Sequence, residues 1–388
     1  MSMEFFEVEV LRSDLQKVIS MTLPVVEKRN IISILGCIKI SAYGNSLKFS
    51  VTNDTILLEY SINARIIQEG TIATDAITFA NVIRKISDPN VCLVYTDNQL
   101  KVAAKGCNFN LNVLSADKFP SFMLIDNPIS NFTIHGKDLY RLTKYTEFAM
   151  LNNENRHNLH GVFISANSVD DKSHITAAAT DGHRLSTLSD QIEKCNDFET
   201  IIPVRLVRQI NNVFNDEVFG KSNVRVKIDS AKIELVTEHN LSITSKLVNA
   251  KFPEYTNLIP NSNNNILRIH SNLLAESIDR VMVVSSEKFR AIKFYLSSNQ
   301  IKISAYSEIR GYGQQVISCN ENEDITEISC YYKGQDMVIG FNAKYILDIL
   351  DSTKNSIVDI YFNTPVSPIL VKCNTIETAK FVVMPVKV

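Results

Sequence analysis

The chain has 388 residues, 45% of them hydrophobic and 21% charged, with a formal net charge of −2. That is enough for two or three domains with substantial cores, and it excludes a binder that works by bulk positive charge; contact with nucleic acid would need positive charge gathered on one surface. No apolar run reaches the length of a membrane helix, and the acidic, alternating start MSMEFFEVEV lacks the regions of a signal peptide. Seven scattered cysteines without a CxxC pair point to buried reduced thiols in a cytoplasmic protein, not to a disulfide framework or a zinc knuckle.

The first predicted element is an alternating strand that runs into a helix at Val10-Leu-Arg-Ser-Asp-Leu15. The same pattern opens again at Ile134-His-Gly-Lys-Asp-Leu139 and at Ile269-His-Ser-Asn-Leu-Leu274, at intervals close to a third of the chain. A small residue then opens an apolar strand: Gly36 in ILGCIKIS, Gly161 in LHGVFIS, Ala291 in FRAIKFYL. VTNDT from Val51 is echoed by ATDGH from Ala179, and LSADKFPSF from Leu114 by LVNAKFPEY from Leu247. A second helix is predicted in each unit, near Asp75–Ile86, Pro203–Phe214 and Asn342–Leu350. Between helices the apolar period falls to two, in SLKFSVTN, KIELVTEH, LSITSKLV and IVDIYFN, with turn signals at Tyr43-Gly-Asn, Thr96-Asp-Asn and Asn261-Ser-Asn. Each repeat is therefore an α+β unit of two helices and short antiparallel strands. Polar, turn-prone stretches at Asn127-Pro128 and Asn261–Asn265 place the domains at 1–130, 131–264 and 265–388.

The helices are amphipathic with basic outer faces. Leu139, Leu142 and Ala149 are expected to face a sheet, leaving Lys137, Arg141 and Lys144 on one exposed face. In the next helix Leu206, Ile210 and Phe214 point inward, and Arg205 and Arg208 outward. Arg12, Lys17, Arg84, Lys85, Arg280 and Lys344 extend the set. Each residue alone reads equally as a solvated surface charge, and Arg84 and Lys85 also suit the negative end of a helix dipole; the threefold repetition is what gives the set a meaning.

ATDGHRL at 179–185, TSKLV and KFPEY at 244–255, SSEKFR at 285–290, IGFNAKYILDIL at 339–350 and the terminal VVMPVKV together resemble the bacterial sliding clamp, the beta subunit of DNA polymerase III, over essentially the whole chain. The resemblance implies the DNA clamp fold: three repeated two-helix, antiparallel-sheet domains that close as a head-to-tail dimeric ring. Helices line the hole around duplex DNA, which is held topologically with weak, sequence-independent attraction to phosphates. Arg29, Lys137, Arg141, Lys144, Arg205, Arg208 and Arg280 are the expected DNA-facing residues. Asn153 stands at a loop position near DNA where the family often has glutamine, and His157 and Asn158 stand where it carries aromatic residues, so direct contacts from that loop are in doubt.

The resemblance also implies a peptide cleft between the second and third domains. By motif position its wall comprises Leu159, Thr180, Gly182, His183, Arg184, Leu185, Pro253, Leu258, Val366, Val382, Met384, Pro385 and Val386. Apolar residues would take a partner's leucine or phenylalanine, with His183 and Arg184 orienting its polar groups; the same residues taken singly also suit core and turn positions. The implied guests are the replicative polymerase, the clamp loader, translesion polymerases and mismatch-repair proteins, each through a short peptide motif. For the ring contact, Phe109 and Leu111 match an apolar pair on one edge, and Val283 and Val284 the opposing pair. Basic residues that accompany the first pair in some members are replaced by Gly106 and Asn108. SEIRGYGQQ carries only Glu308 as an acid, and the acidic run Glu321–Glu327 lies later, in a longer loop. Closure is therefore expected to rest on strand pairing and apolar contact and to be weakly salt-sensitive.

Enzymatic chemistry finds no support. Asp181, His183, His157, His160 and His174 form no metalloprotease or zinc pattern, no GxSxG, P-loop or GxGxxG is present, and Gly311-Tyr-Gly313 is too short for a phosphate loop. No cofactor, metal or membrane is implied. A structural repeat protein without DNA is the remaining alternative; it would leave the basic faces as solvated surface.

Overall fold

The computed structural model describes residues 6–27, 33–120, 122–123, 125–151, 156–261, 264–286, 290–323 and 325–387. Arg29 and Asn153 lie outside the described residues. The helices are α1 Arg12–Thr22, α2 Ala76–Lys85, α3 Gly136–Lys144, α4 Val204–Phe214, the short α5 Glu217–Lys221, α6 Ser271–Met282 and α7 Ala343–Ser352. Each unit packs one pair, α1 with α2, α3 with α4 and α6 with α7, against two antiparallel sheets. One sheet takes the unit's first strand and its last three. The other takes strands two to four and the strand leading into the second helix.

The repeats seen in sequence are repeated physics. The first strand runs straight into its helix without a side-chain cap, and the exposed N–H is held by a carbonyl from the loop after the second helix. Arg12 N donates to Pro89 O at 2.8 Å, Gly136 N to Ser222 O at 3.0 Å and Ser271 N to Ser356 O at 2.9 Å. Gly136 is required there, since a Cβ would lie 2.2 Å from Phe219 O. Asp75 and Asn342 cap α2 and α7, accepting from Thr78 N and Lys344 N. VTNDT and ATDGH are one turn: Thr52 and Thr180 donate their hydroxyls to Ile56 O and Arg184 O, around left-handed residues Asp54 and Gly182. The alternating strands bury Phe49, Phe294, Phe362 and Phe381 against Phe79, Phe219 and Phe341 and the helices' apolar faces; each such ring contributes about 1.5–3 kcal/mol.

One expectation needs correcting. α3 stops at Lys144, and Ala149 is buried from the following turn, Glu147–Ala149, rather than from the helix. Thr146 and Thr143 bond back to carbonyls one turn earlier, which ends the helix there.

Units are joined by strand addition. The fourth strand of the first unit, Ile56–Asn63, pairs antiparallel with the last strand of the second, Leu241–Lys246; Ile56 lies opposite Ser245 and Tyr60 opposite Leu241. The fourth strand of the second, Arg184–Glu193, pairs with the last strand of the third, Ile376–Val383; Arg184 lies opposite Val383 and Thr187 opposite Lys380. Among the described residues, the fourth strand of the third unit, Gly311–Ser318, and most of the last strand of the first, Cys107–Leu114, keep one edge unpaired.

Candidate functional site

The second junction is built around Arg184. The turn after Thr180 brings its side chain between units, where it is 8% exposed. Its Nε donates to Asp181 Oδ2 at 3.0 Å, its Nη1 to Asp348 Oδ2 of α7 at 2.5 Å, and its Nη2 to Phe148 O. The guanidinium also lies 4.7 Å from the Tyr345 ring centroid and 5.4 Å from that of Phe148. Three of the five guanidinium N–H donors of Arg184 thus bracket two units.

Outside this bracket lies an apolar floor. Leu185, Leu370 and Val382 are buried in one cluster, with Tyr255, Ile259 and Tyr361 half-buried against it. A second cluster, Leu159, Ala178, Ile201 and Phe252, adjoins it through Tyr255. Phe252 stacks on Phe163 with ring centroids 4.9 Å apart, and Tyr255 meets both rings edge-on. Burial foremost, then the charges of Glu254 and Glu199, hold the Tyr255 phenol above its ordinary pKa. Leu258, beside Ile259 in the chain, is 51% exposed, Met384, next after Val383, is 41% exposed, and Val366, in the loop before Ile369–Cys373, is 81% exposed. Pro253 and Gly182 are also exposed, and Pro385 is half-buried. His183 is exposed, stacks near Tyr345, and accepts Met384 N at its carbonyl at 2.9 Å. Val386 departs from this group: its N–H donates to Gly340 O, and it lines a separate cavity of about 630 Å³ with Tyr295, Tyr306 and Tyr312.

Of the expected cleft residues, Leu185 and Val382 share one cluster and Leu159 lies in the adjoining one; Thr180 is also buried, and Pro253, Leu258, Val366 and Met384 are exposed. Tyr255, Ile259, Tyr361 and Leu370 were missed. Tyr255 was signalled by the KFPEY echo; Leu370 and Tyr361 carry no local mark distinguishing them from other strand residues.

The basic helix residues fall into two groups. Arg141 pairs with Asp190 at 3.1 Å and Asp138 at 3.5 Å, Lys144 with Glu147 at 2.7 Å, Arg280 with Glu276 at 3.1 Å, and Arg205 with Glu27. The bond to Glu147 is the main reason the Lys144 pKa is raised. Lys137 and Arg208 are exposed and make no ion pair among the described residues. At the open edges, Phe109 is half-buried and Leu111 is buried in its own unit's core. Val283 is 73% exposed, and Val284 covers the backbone of Gly313. In the later acidic run, Glu323 is tied back to Arg268 at 2.8 Å.

Among the described residues no group of three or more His, Cys, Asp or Glu is placed to hold a metal, and no helix is long and apolar enough to cross a membrane. Three family profiles match in series: the DNA polymerase III beta subunit N-terminal domain at residues 5–124, central domain at 133–254 and C-terminal domain at 256–387. The chain belongs to the DNA polymerase III beta subunit family. It is 34% identical to the beta sliding clamp of Rickettsia bellii, covering 94% of this chain and 95% of that one, and 30% identical to that of Caulobacter vibrioides, covering 97% and 98%. Among solved structures, the Caulobacter crescentus clamp superposes with a TM-score of 0.88 at 28% identity, covering 99% of each chain. The Bartonella birtlesii clamp, bound to griselimycin, gives 0.89 at 25% identity, covering 99% of this chain and 100% of that one. The protein is a sliding clamp, a non-catalytic processivity subunit for DNA polymerase III in replication.

Proposed function

We propose that two copies of this chain, with domains at 1–130, 131–264 and 265–388, close head to tail into a ring that encircles duplex DNA in the cytoplasm. The observation that carries this is the pair of open edges. Fourth strand to last strand is the contact that joins unit one to two and two to three. The same contact leaves one fourth strand and one last strand over, and a second copy satisfies both. The exposed Val283, the half-buried Val284 and the half-buried Phe109 lie at those edges. Leu111 supports the edge from inside its own unit, so Phe109→Ala and Val283→Asp probe closure more cleanly than Leu111→Ala.

The helix faces bearing Lys137, Arg141, Lys144, Arg205, Arg208 and Arg280 then supply sequence-independent attraction to phosphate, with Arg29 as a loop contact. The groove of Leu185, Tyr255, Tyr361 and Val382, ringed by Pro253, Leu258, Val366 and Met384, takes short peptides of the polymerase, the loader, translesion polymerases and mismatch-repair proteins. Its apolar character suits one or two buried anchors. The ring is tested by retention. Once loaded, it is expected to stay on a nicked circle and to run off when that circle is linearised; equal retention on both forms would mean ordinary groove binding.

A further inference from the structure

The two junctions inside the chain share one register, and that register can be continued to the contact between copies, an extension that rests on the ring reading above. The units are aligned by their sheets. Cys37, Gly161 and Ala291 pair with the cap positions Asp75, Pro203 and Asn342. Two residues on, Lys39, Phe163 and Lys293 face Ser50, Ala178 and Ser304. The next residues, Val51, Ala179 and Ala305, face Leu58, Ser186 and Gly313 on the fourth strands. On the last strands, Phe109, Ile243 and Phe381 are equivalent, opposite Val102, Leu235 and Val371. Ile243 lies opposite Leu58 at the first junction and Phe381 opposite Ser186 at the second.

We infer that ring closure sets Phe109 of one copy opposite Gly313 of the other, with Asn108 opposite Gln314 and Cys107 opposite Gln315, and places Arg84 beside Asp279 of that other copy. Val284 of the same chain accounts for Gly313: a Cβ there would meet Val284 Cγ2 at 2.9 Å. The smallest residue thus lets Val284 lie over the rung that receives the partner's phenylalanine ring.

The charge pair follows from the helices. At the first junction, Gln209 Nε2 donates to Met21 O at 2.7 Å and Asn212 Nδ2 to Ser20 O at 3.1 Å, tying α4 to the end of α1. Counted from their caps, Asn81 and Arg84 of α2 stand where Gln209 and Asn212 stand in α4. Asp279 and Arg280 of α6 likewise stand where Ser20 and Met21 stand in α1. α4 buries Leu206, Gln209 and Val213; the matching Thr78, Asn81 and Lys85 of α2 are exposed and await a partner. Arg84 and Asp279 are exposed and neither makes an ion pair among the described residues. The strand rungs carry neutral amides, so this helix pair is the ring contact's main charge complement.

Single cysteines at 314, 315 and 316 read the register against the native Cys107. Under mild oxidation, Gln315→Cys is expected to give a covalent dimer whose cross-link maps to Cys107 by peptide mass, while Gln314→Cys and Val316→Cys give none above the unsubstituted protein. A cross-link at either neighbour in place of 315 overturns the register. Arg84→Asp and Asp279→Arg are each expected to raise the dimer Kd by about tenfold or more, since each ring carries the contact twice, and the double exchange to restore it. Singles with unchanged Kd in a protein that sediments as a dimer overturn the charge pair and leave the ring intact. An unsubstituted protein that stays monomeric overturns the ring itself.

Discussion

The two junctions within the chain use the same strand ladder yet differ in what lies on it. At the first, Leu57 lies opposite Thr244, and Leu57 packs beneath the cluster of Ile34, Leu35, Cys37, Ala73 and Phe119. At the second, the equivalent rung is Leu185 opposite Val382, both apolar, and they form a floor with Leu370 beside Tyr255 and Tyr361. The first junction adds Gln209 and Asn212 bonded to helix-end carbonyls, and a half-exposed pair between Arg205 and Glu27. The second instead buries Arg184 between Asp181, Asp348 and Phe148 O. The proposed peptide groove rests on an apolar floor beside a charged bracket, whereas the first junction's rung is covered by its own unit's core residues. One contact geometry thus carries a covered rung at one junction and an apolar floor at the next.

The largest effect that could break this comparison is on stability. Arg184→Ala removes the guanidinium shared by Asp181 and Asp348 at a buried joint, leaving Asp348 with Lys344 and Asp181 with two backbone N–H donors, and is expected to cost about 3 kcal/mol. Arg205→Ala, at the half-exposed pair of the first joint, is expected to cost less than about 1 kcal/mol. Urea unfolding of both variants decides it, and equal losses would remove the distinction drawn between the joints.

A smaller effect concerns binding. Met384→Ala and Leu258→Ala should weaken a partner peptide by about 1–2 kcal/mol while leaving unfolding nearly unchanged, because these side chains stand exposed at the rim. Leu185→Ala should damage both, at about 2–5 kcal/mol for a buried leucine. Removing residues 384–388 gives up the bonds from Met384 N to His183 O and Val386 N to Gly340 O. It should abolish polymerase and loader binding while sedimentation still shows a dimer; wild-type peptide affinity after that truncation would move the site elsewhere.

The smallest effect lies in the helix layer around the joints. Lys137→Glu with Arg208→Glu should slow loading and reduce its salt dependence more than Arg141→Glu with Lys144→Glu. The second pair is already balanced by Asp138, Asp190 and Glu147. Each lost phosphate contact changes the logarithmic salt slope by about 0.9. Loading measured across a salt series would reject the idea if the two double variants behaved alike.

By itself the sequence determined what depends on local order. Alternation and the period of the helices recur three times and the turn chemistry of VTNDT and ATDGH twice, so the α+β class, the repetition and the helix positions were legible. The motifs ATDGHRL and KFPEY also marked most of the groove, since its turn and its aromatic prop are contiguous in the chain. Only the tertiary structure decided what depends on residues far apart in sequence. It tied Arg184 to Asp348 and Phe148 O, turned Val386 to the third unit's own sheet, and neutralised Arg141 with Asp190. A strand residue's role is set by whatever lies across the next strand or beneath the next helix. Leu57 and Leu185 read alike in sequence, and the neighbours supplied by folding make one a covered seam and the other the floor of a groove.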